Sequence, residues 1–519
     1  MDASRKHRHG DRTYAIAVSI FASLGGLYFG YEQGATGGAL VLHSFVADFC
    51  VGWHSHTYKD CTAPLADLPA QWLQFVLAYN LTYNVGCIVG ALLGGYLADA
   101  FGRRVMIFSA GLLFCIGTLW VWACPAHAHG SLLMARVLQG VGVGNSSFSL
   151  PIYGGELVPT DLQALFFGFT HVTIVTGVLL ASAVNVVVQT DLRGWRITNG
   201  VAMIVPVVVM IGIFFVPENP RWTYEFMGKD AAKAVLQRLR QRDNVTQELR
   251  SIGDQIAREG GTSTGWHELW TLSSMRRRVL IVMTLHVLQQ ATGINQILAY
   301  GGLLFKDVMS DGVSAVFMLT IVNFVATVPT MRWVDTLGRR QLLLIGAIGM
   351  ALSHLVSAIT LSQGCGIDNS ECSKPESVVV MLSAMCFIFS FAVSWGPLCW
   401  IYAVELFPIS VRAKAVSITA MANWVMGAAM TFVVQLVPSL RLSGLFFLFA
   451  ATCAASALFV FFVCPETKDV DVDDMDALFA AKEKNGYKKL WTASPQTHLS
   501  NNCYIITGYF LEISEPEKE

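Results

Sequence analysis

Long apolar runs recur along the chain and are separated by short polar segments. Each run has about twenty residues, and a helix of that length crosses the roughly 30 Å hydrocarbon core of a bilayer. The pattern predicts twelve such spans in two sets of six. They lie near residues 14–42, 72–98, 105–124, 131–150, 163–188 and 197–216, and near 279–302, 313–334, 341–361, 377–404, 411–437 and 442–464.

The polar segment between the two sets is charged and has the periodicity of helices. We therefore expect an all-α membrane protein of 12 transmembrane helices, arranged in two six-helix halves with a cytoplasmic helical segment between them. The expected divisions are an N-terminal tail at 1–13, a first half at 14–216, a linker at 217–277, a second half at 278–464 and a C-terminal tail at 465–519.

The composition narrows the class of protein. Hydrophobic residues make up 54% of the 519 residues and charged residues only 14%, whereas a soluble domain carries about a quarter charged residues. Together with a net charge of −1, this excludes an ordinary soluble enzyme, a disordered protein and a nucleic-acid-binding protein. Arg and Lys are concentrated near the N-terminus, beside Arg103 and Arg339, and at the end of the linker. We therefore expect both termini and the linker to be cytoplasmic.

Three short motifs occur once in each half, in the same order and at similar offsets. The segment Asp99–Arg104 matches Asp335–Arg340, the segment Ile152–Pro159 matches Ile401–Pro408, and Pro217-Glu218 matches Pro465-Glu466. This repetition indicates a duplicated six-span unit. Many transporters are built in this way and bind their substrate between the repeats, near the middle of the membrane.

Over about residues 14–470 these motifs resemble the sugar porters of the major facilitator superfamily. The resemblance rests on the two Asp-x-x-Gly-Arg-Arg loops and on the segments PENPRW at 217–222, QQATGIN at 289–295, GPLCW at 396–400 and PETK at 465–468. It implies the major facilitator fold and the transport of a monosaccharide by alternating access.

The resemblance also implies a sugar site of amides and indole rings. An amide donates and accepts hydrogen bonds, as a sugar hydroxyl does, and an indole face suits the apolar face of a pyranose. The matching residues are Gln289, Gln290, Asn295, Asn323, Trp400, Asn423, Trp424 and His171. His171 departs from the family, which has a Gln there. We expect it to hydrogen-bond the ligand or a neighbour, and a second proton site is the alternative.

Glu32 places a carboxylate inside span 1, and intramembrane carboxylates are functional candidates. The resemblance implies proton coupling, because proton-coupled members have an acid at this position and passive carriers commonly have Asn. Arg136 in span 4 matches the family's buried Arg, and we expect it to pair with Glu32. The ion pair keeps Glu32 ionised, and its separation lets Glu32 take a proton from outside. A static buried salt bridge is the alternative.

Charged residues at the ends of the spans predict a cytoplasmic gate that joins neighbouring helices while the inner side is closed. The gate residues are Asp99, Arg103, Arg104, Glu156 and Arg221 in the first half, and Asp335, Arg339, Arg340, Glu405 and Arg412 in the second. Alternatively, the loop arginines serve only to orient the protein in the membrane.

Four cysteines lie in segments that the predicted topology places outside: Cys50, Cys61, Cys365 and Cys372. Because the outside is oxidising, Cys50–Cys61 and Cys365–Cys372 disulfides are plausible, and cross-pairing between the two loops is equally open.

The function expected from these features is that of a plasma-membrane, proton-coupled monosaccharide (hexose) symporter. A facilitative hexose carrier and a myo-inositol or polyol proton symporter are the alternatives, followed by a nutrient sensor. The expected partners are a sugar, a proton and the lipid bilayer, with a monomeric functional unit. No nucleotide-binding loop, nucleophile elbow or metal-ligand cluster is found in the sequence, so we expect no enzyme activity, no cofactor and no metal.

Overall fold

The computed structural model describes residues 13–64, 67–157, 163–258, 268–309, 311–364, 374–433, 437–468 and 470. Within these ranges the chain consists of helices and short connections, without strands. The basic N-terminus, most of the predicted C-terminal tail, and Cys365 with Cys372 lie outside the described residues.

Spans 1 to 6 form the first half. Their helices are Thr13–Ala39, Ala70–Phe101, Arg103–Ala123, His129–Leu157 and Gln163–Val187, and span 6 consists of Gly194–Ala202 and Ile204–Gly212. The connection after span 1 contains the short helices His43–Phe49, Trp53–Ser55 and Tyr58–Cys61. It also contains a disulfide between Cys50 and Cys61, which is one of the pairings left open by the sequence.

The linker contains four helices, Pro220–Met227, Lys229–Arg240, Thr246–Arg258 and Glu268–Thr271. Spans 7 to 12 follow. Span 7 consists of Ser273–Ala291, Ile294–Ala299 and Gly301–Met309, and it begins before the predicted boundary at 278. Spans 8 and 9 are Gly312–Leu337 and Arg339–Gly364, span 10 is Lys374–Ala392 with Trp395–Leu406, and spans 11 and 12 are Ile409–Thr431 and Val437–Val463.

Nine stretches among the described residues are helical, long and apolar enough to cross a membrane. The other three predicted spans are spans 4, 7 and 11. These spans contain Arg136, Gln290 and Asn423, which are candidate site residues. Polar side chains at membrane depth are costly and usually functional.

Spans 6, 7 and 10 are interrupted, whereas the apolar pattern predicts continuous helices. Gly293 interrupts span 7 with φ of +87°, which glycine adopts without steric cost. A Cβ atom there would also lie 2.6 Å from the ring of Phe449. In spans 6 and 10, Pro206 and Pro397 fall in the first turn of the second helix, where a missing N–H is tolerated.

The two halves meet along two seams related by the internal repeat. Span 2 packs against span 11, and span 8 packs against span 5. Because spans 8 and 11 are the counterparts of spans 2 and 5, the second seam repeats the first with the halves exchanged. A pseudo-twofold arrangement of this kind leaves a shared central space between the halves.

Candidate functional site

A cavity lies between the two halves, and all eight residues of the predicted sugar site line it. Spans 1, 5, 7, 8, 10 and 11 contribute to its wall. Span 1 adds Phe29 and Gln33, which the sequence analysis does not assign to the site. The lining residues from the prediction are His171, Gln289, Gln290, Asn295, Asn323, Trp400, Asn423 and Trp424.

Four amides on one side of the cavity form a continuous hydrogen-bonded chain. Asn295 Nδ2 donates to Gln290 Oε1 at 2.7 Å, and Gln290 Nε2 donates to Asn423 Oδ1 at 2.8 Å. Asn423 Nδ2 donates to Gln289 Oε1 at 2.8 Å, and Gln289 Nε2 donates to the carbonyl of Trp395 at 2.7 Å. Each amide is thereby held in one orientation, which fixes where donors and acceptors face a ligand.

Two buried polar atoms of the cavity lining have no hydrogen-bond partner, Nε2 of His171 and Oδ1 of Asn323. His171 belongs to span 5 of the first half and Asn323 to span 8 of the second. Since buried polar groups are normally satisfied, these atoms are available to ligand hydroxyls. A ligand that bonds to both joins the two halves.

The aromatic side of the cavity includes Trp424, which is buried against span 1 and span 2. Its ring centroid lies 5.8 Å from that of Phe29 and 6.2 Å from that of Tyr83, both in edge-on geometry. Its Nε1 donates to Ser147 Oγ at 3.4 Å, so Trp424 of the second half is anchored in the first. Trp400 packs against His286 at 4.7 Å between ring centroids.

Glu32 and Arg136 form an ion pair in the middle of the first half. Glu32 is 1% exposed and Arg136 is fully buried. The Arg136 guanidinium also donates to Gln139 Oε1 at 2.8 Å and lies over the rings of Tyr79 and Tyr83, at 4.2 and 4.5 Å from the centroids. Cation–π contacts and hydrogen bonds thus compensate a charge that is withdrawn from water.

The second carboxylate oxygen of Glu32 is also satisfied. Gln139 Nε2 donates to Glu32 Oε2 at 2.7 Å and to Thr118 Oγ1 at 3.0 Å, while Thr36 Oγ1 lies 3.4 Å from Glu32 Oε1. Gln139, Thr36 and Thr118 are not predicted from the sequence. The first two lie one helical turn from Arg136 and Glu32, respectively, and this spacing is the signal that identifies them.

At one end of the bundle, called here the arginine end, the Asp-x-x-Gly-Arg-Arg loop of the first half is closed by carboxylates. Arg103 binds both oxygens of Glu156 at 3.1 Å. Asn219 also donates to Glu156. Glu218 accepts from the backbone N–H groups of Arg103 and Arg104 at 3.0 and 3.1 Å, and so caps the start of span 3.

The second half repeats this arrangement. Arg339 binds Glu405 at 2.7 Å through its NH2 group, and Thr467 Oγ1 donates to the same carboxylate at 2.7 Å. Glu466 accepts from the backbone N–H groups of Arg339 and Arg340 at 2.9 and 3.1 Å. The carboxylates of the two Pro-Glu motifs, Glu218 and Glu466, thus cap the starts of spans 3 and 9, contacts that are not predicted from the sequence.

Three further arginines of the predicted gate, Arg104, Arg340 and Arg412, bind backbone carbonyls. The Arg104 guanidinium donates to the carbonyls of Ile213 and Phe214 at 3.1 Å, so backbone oxygens replace the expected carboxylate. Arg340 donates to the carbonyl of Phe461 at 2.8 Å and Arg412 to that of Phe407 at 3.1 Å. These carbonyls lie at or next to helix ends, where they lack a partner within the helix and attract cations.

Asp99 joins the two halves rather than only neighbouring helices of one half. Its Oδ2 lies 3.4 Å from Nζ of Lys414 in span 11, a residue that the sequence analysis overlooks. Arg221 lies in the first turn of the linker helix Pro220–Met227, and its backbone N–H donates to Oδ1 of the N-cap residue Asn219 at 2.7 Å. Asp335 lies near the end of span 8, and its side chain is outside the described part of the structure.

Residues 18–479 match the family profile of the Sugar (and other) transporters. The chain belongs to this family. It is therefore a multi-pass membrane transporter and not an enzyme, and the internal repeat and the cavity between the halves are features of the major facilitator fold.

Curated relatives with a similar sequence cover nearly the whole transporter. Sugar transport protein 10 of Arabidopsis thaliana is 29% identical over 91% of this chain and 92% of its own length. The probable metabolite transport protein CsbC of Bacillus subtilis is 30% identical over 90% of this chain and 94% of its own length.

A solved structure of the proton:xylose symporter XylE, bound to 6-bromo-6-deoxy-D-glucose, matches the transporter with a TM-score of 0.75 and 25% identity. The match covers 90% of this chain and 99% of XylE. An inward-open structure of XylE from E. coli matches with a TM-score of 0.67 and 26% identity, over 89% and 99% of the two chains.

Proposed function

We propose that this transporter is a proton-coupled monosaccharide symporter that works by alternating access, with Glu32 as the coupling carboxylate. The buried Glu32–Arg136 pair is the observation that carries the proposal, because a carboxylate in the membrane interior is costly to keep without a function. The similarity to Sugar transport protein 10 and to the proton:xylose symporter XylE supports proton-coupled sugar transport.

The position of Glu32 links it to the ligand cavity. Gln33, the next residue of span 1, lines the cavity, and Phe29 on the same span contacts Trp424. Tyr83 lies under the Arg136 guanidinium and also contacts Trp424. A movement of span 1 that follows ligand binding therefore acts directly on the ion pair.

Coupling follows from two states of this pair. While Glu32 is bound to Arg136 it stays ionised, because the guanidinium stabilises the negative charge. When span 1 moves away from span 4, the carboxylate loses its counter-ion in a medium of low polarity and takes up a proton. If the sugar binds best to the protonated state, the inward proton gradient drives its uptake.

The substrate class follows from the lining of the cavity. Amides, an imidazole and two indole rings suit a neutral polyhydroxylated ring, with hydroxyls bound by Gln290, Asn295, Asn323 and Asn423. Among the described residues that line the cavity, the imidazole of His171 is the only acidic or basic side chain, which favours an uncharged sugar over a charged metabolite. We propose a hexose as the substrate, and a pentose or a polyol is the competing choice within the same chemistry.

The predicted topology completes the proposal. With the arginine end on the cytoplasmic side of the plasma membrane, the Cys50–Cys61 disulfide lies in the oxidising space outside. One chain contains both halves of the cavity, so the functional unit is a monomer and the divisions at 216, 277 and 464 separate its halves, linker and tail.

Sugar uptake into proteoliposomes, with and without an inward proton gradient, tests the proposal. One proton provides about 2.3 kcal/mol per 100 mV and about 1.4 kcal/mol per pH unit. The wild-type transporter should therefore concentrate its sugar by up to a few hundred-fold, by order of magnitude. Uptake of a panel of hexoses, pentoses and inositol identifies the substrate, and uptake that does not respond to the gradient indicates a facilitative carrier.

The first prediction is that Glu32→Gln uncouples transport. This variant should retain counterflow exchange, because the amide fills the same space, but it should not concentrate sugar. Asp254→Asn makes the same chemical change at an exposed position of the linker and should behave as wild type. Gradient-driven accumulation that survives intact in Glu32→Gln contradicts the assignment of Glu32.

A further inference from the structure

The break in span 7 exposes backbone carbonyls in the interior of the second half. Helix Ser273–Ala291 ends at the break, where the C-cap N–H groups bind the carbonyls of Leu288 and Gln290. The next helix begins only at Ile294, so the carbonyls of Ala291 and Thr292 are left at the break. Thr292 is fully buried, and no water is present at this depth of a membrane. Unpaired carbonyls are costly there, and side chains from elsewhere must bind them.

Two side chains from other spans bind these carbonyls. His354 of span 9 donates from Nε2 to the carbonyl of Thr292 at 3.0 Å. Thr452 Oγ1 of span 12 lies 2.7 Å from the carbonyl of Ala291 and 2.9 Å from that of Phe449 in its own helix, so its single hydrogen is shared between these two acceptors. Since a carbonyl only accepts, Nε2 of His354 carries a hydrogen, and the imidazole acts as a cap on a helix to which it does not belong.

The packing around the imidazole holds it in this place. Its ring centroid lies 4.1 Å from that of Phe387 and 5.5 Å from that of Phe449. Phe449 also fills the space beside Gly293 where a Cβ atom would lie 2.6 Å from the ring. The shape of the break is therefore determined by spans 9, 10 and 12 as well as by the residues of span 7.

The same break separates two groups of cavity residues. Gln289 and Gln290 precede it and Asn295 follows it, yet Asn295 Nδ2 donates to Gln290 Oε1 at 2.7 Å across it. Thr292 Oγ1 donates to the carbonyl of Gln289 at 2.7 Å on the near side. A small rotation at the break would pull the two amides apart and change the surface offered to a ligand.

We propose that His354 and Thr452 are positioning residues for the sugar site. They hold the break of span 7 in the geometry in which Gln290 and Asn295 meet, and they do so without touching the ligand themselves. This inference rests on the proposed function, because sugar affinity is the property that it predicts.

The test measures the equilibrium dissociation constant of purified full-length protein for the sugar that the wild type binds. His354→Leu removes the donor, whereas His354→Gln replaces it with an amide N–H at a similar reach. Thr452→Val removes the second donor with almost no change of volume. Ser357→Ala is the matched control, because Ser357 of span 9 bonds to Ser383 of span 10, one turn away from His354, and not to the break.

We expect His354→Leu and Thr452→Val to weaken sugar binding about tenfold, the effect of losing one buried hydrogen bond. His354→Gln should remain close to wild type, and so should Ser357→Ala. If His354→Leu does not fold, as judged by its apparent melting temperature, Thr452→Val decides the test.

Unchanged affinity in the folded donor-deletion variants would overturn the proposal. An equal loss in Ser357→Ala would also overturn it, because the loss would then reflect general packing of span 9. Failure of His354→Gln to restore affinity that His354→Leu has lost would show that the donor is not the cause. A wild-type protein that binds no sugar in the panel contradicts the proposed function instead, and so the two failures are distinguishable.

Discussion

At the scale of single residues, the sequence predicts those residues of the candidate site that belong to a recognisable motif. It does not predict residues that join the site only through contacts between helices. The eight sugar-site residues belong to short motifs or to fixed positions within spans, and they line one cavity. Thr118 accepts from Gln139 beside the Glu32–Arg136 pair only because spans 3 and 4 meet at this depth. A single sequence does not contain that information, since helix contacts depend on the whole bundle.

His171 is the residue whose substitution most directly tests the substrate class. Its buried Nε2 has no partner in the cavity, and an imidazole offers one hydrogen bond at each nitrogen, whereas a glutamine side chain both donates and accepts at its end. We expect His171→Gln to change the relative KM values of hexoses, pentoses and inositol by about three- to tenfold, the range of one hydrogen bond.

Competition of unlabelled sugars against labelled uptake measures this change. His171→Ala serves as the control, because it removes the hydrogen bond without providing a new one and should weaken all substrates similarly. The same rank order of sugars in His171→Gln and in the wild type contradicts a role for His171 in selecting the substrate.

At the scale of elements, the apolar pattern predicts where helices cross the membrane but not where they break. Span 7 contains a Thr-Gly pair, which is a weak signal in isolation, and only the positive φ of Gly293 shows that the helix stops there. Pro397 is a stronger signal for the break in span 10. Breaks need partners for the freed carbonyls, and those partners come from distant spans.

Glycines set the close approach of spans 1 and 5. A Cβ atom on Gly30 would lie 1.8 Å from the carbonyl oxygen of Ile174, and one on Gly34 would lie 2.3 Å from that of Val178. Both obstacles are backbone atoms, which do not move aside as a flexible side chain does. The two glycines lie four residues apart, on the same face of the helix, and flank Glu32.

We expect Gly30→Ala to force spans 1 and 5 apart and to destabilise the fold by about 1–3 kcal/mol, the usual cost of overpacking. A lower apparent melting temperature of the purified protein records this effect. Gly130→Ala is the control, because a Cβ atom there would have nothing within 4 Å, and it should leave stability unchanged. Equal melting temperatures for the two variants contradict the close packing of spans 1 and 5.

At the scale of the whole molecule, residues of the duplicated motifs make corresponding contacts in the two halves. Tyr153 donates to the carbonyl of Pro217 at 2.5 Å, and its counterpart Tyr402 donates to that of Pro465 at 2.8 Å. The Arg103–Glu156 pair has its counterpart in the second half as well. Because the motifs repeat, the sequence predicts this correspondence, but it does not predict which contacts run between the halves.

The Asp99–Lys414 pair departs from the pseudo-symmetry of the two seams. Aligning Pro159 with Pro408 places Leu165 opposite Lys414, so the cation of this pair has no charged equivalent in the first half. The pair lies at the arginine end between spans 2 and 11, near Ser417, whose hydroxyl donates to the carbonyl of Ala91 across the same seam at 2.7 Å. We therefore expect it to favour conformations that are closed at this end.

Reversing either charge should open that seam. Lys414→Asp or Asp99→Lys places like charges on spans 2 and 11, and because the side chains are 14% and 35% exposed the effect should be modest. A shift of about 0.2–1 kcal/mol is typical of such pairs and amounts to at most about fivefold in the conformational equilibrium.

Hydrogen–deuterium exchange of the peptides at the ends of spans 2 and 11 should accelerate in both single variants. The double variant restores opposite charges across the seam and should return exchange toward the wild-type rate. If the double variant instead exchanges as fast as the single variants, the ion pair does not hold the halves together, and the seam is closed by packing alone.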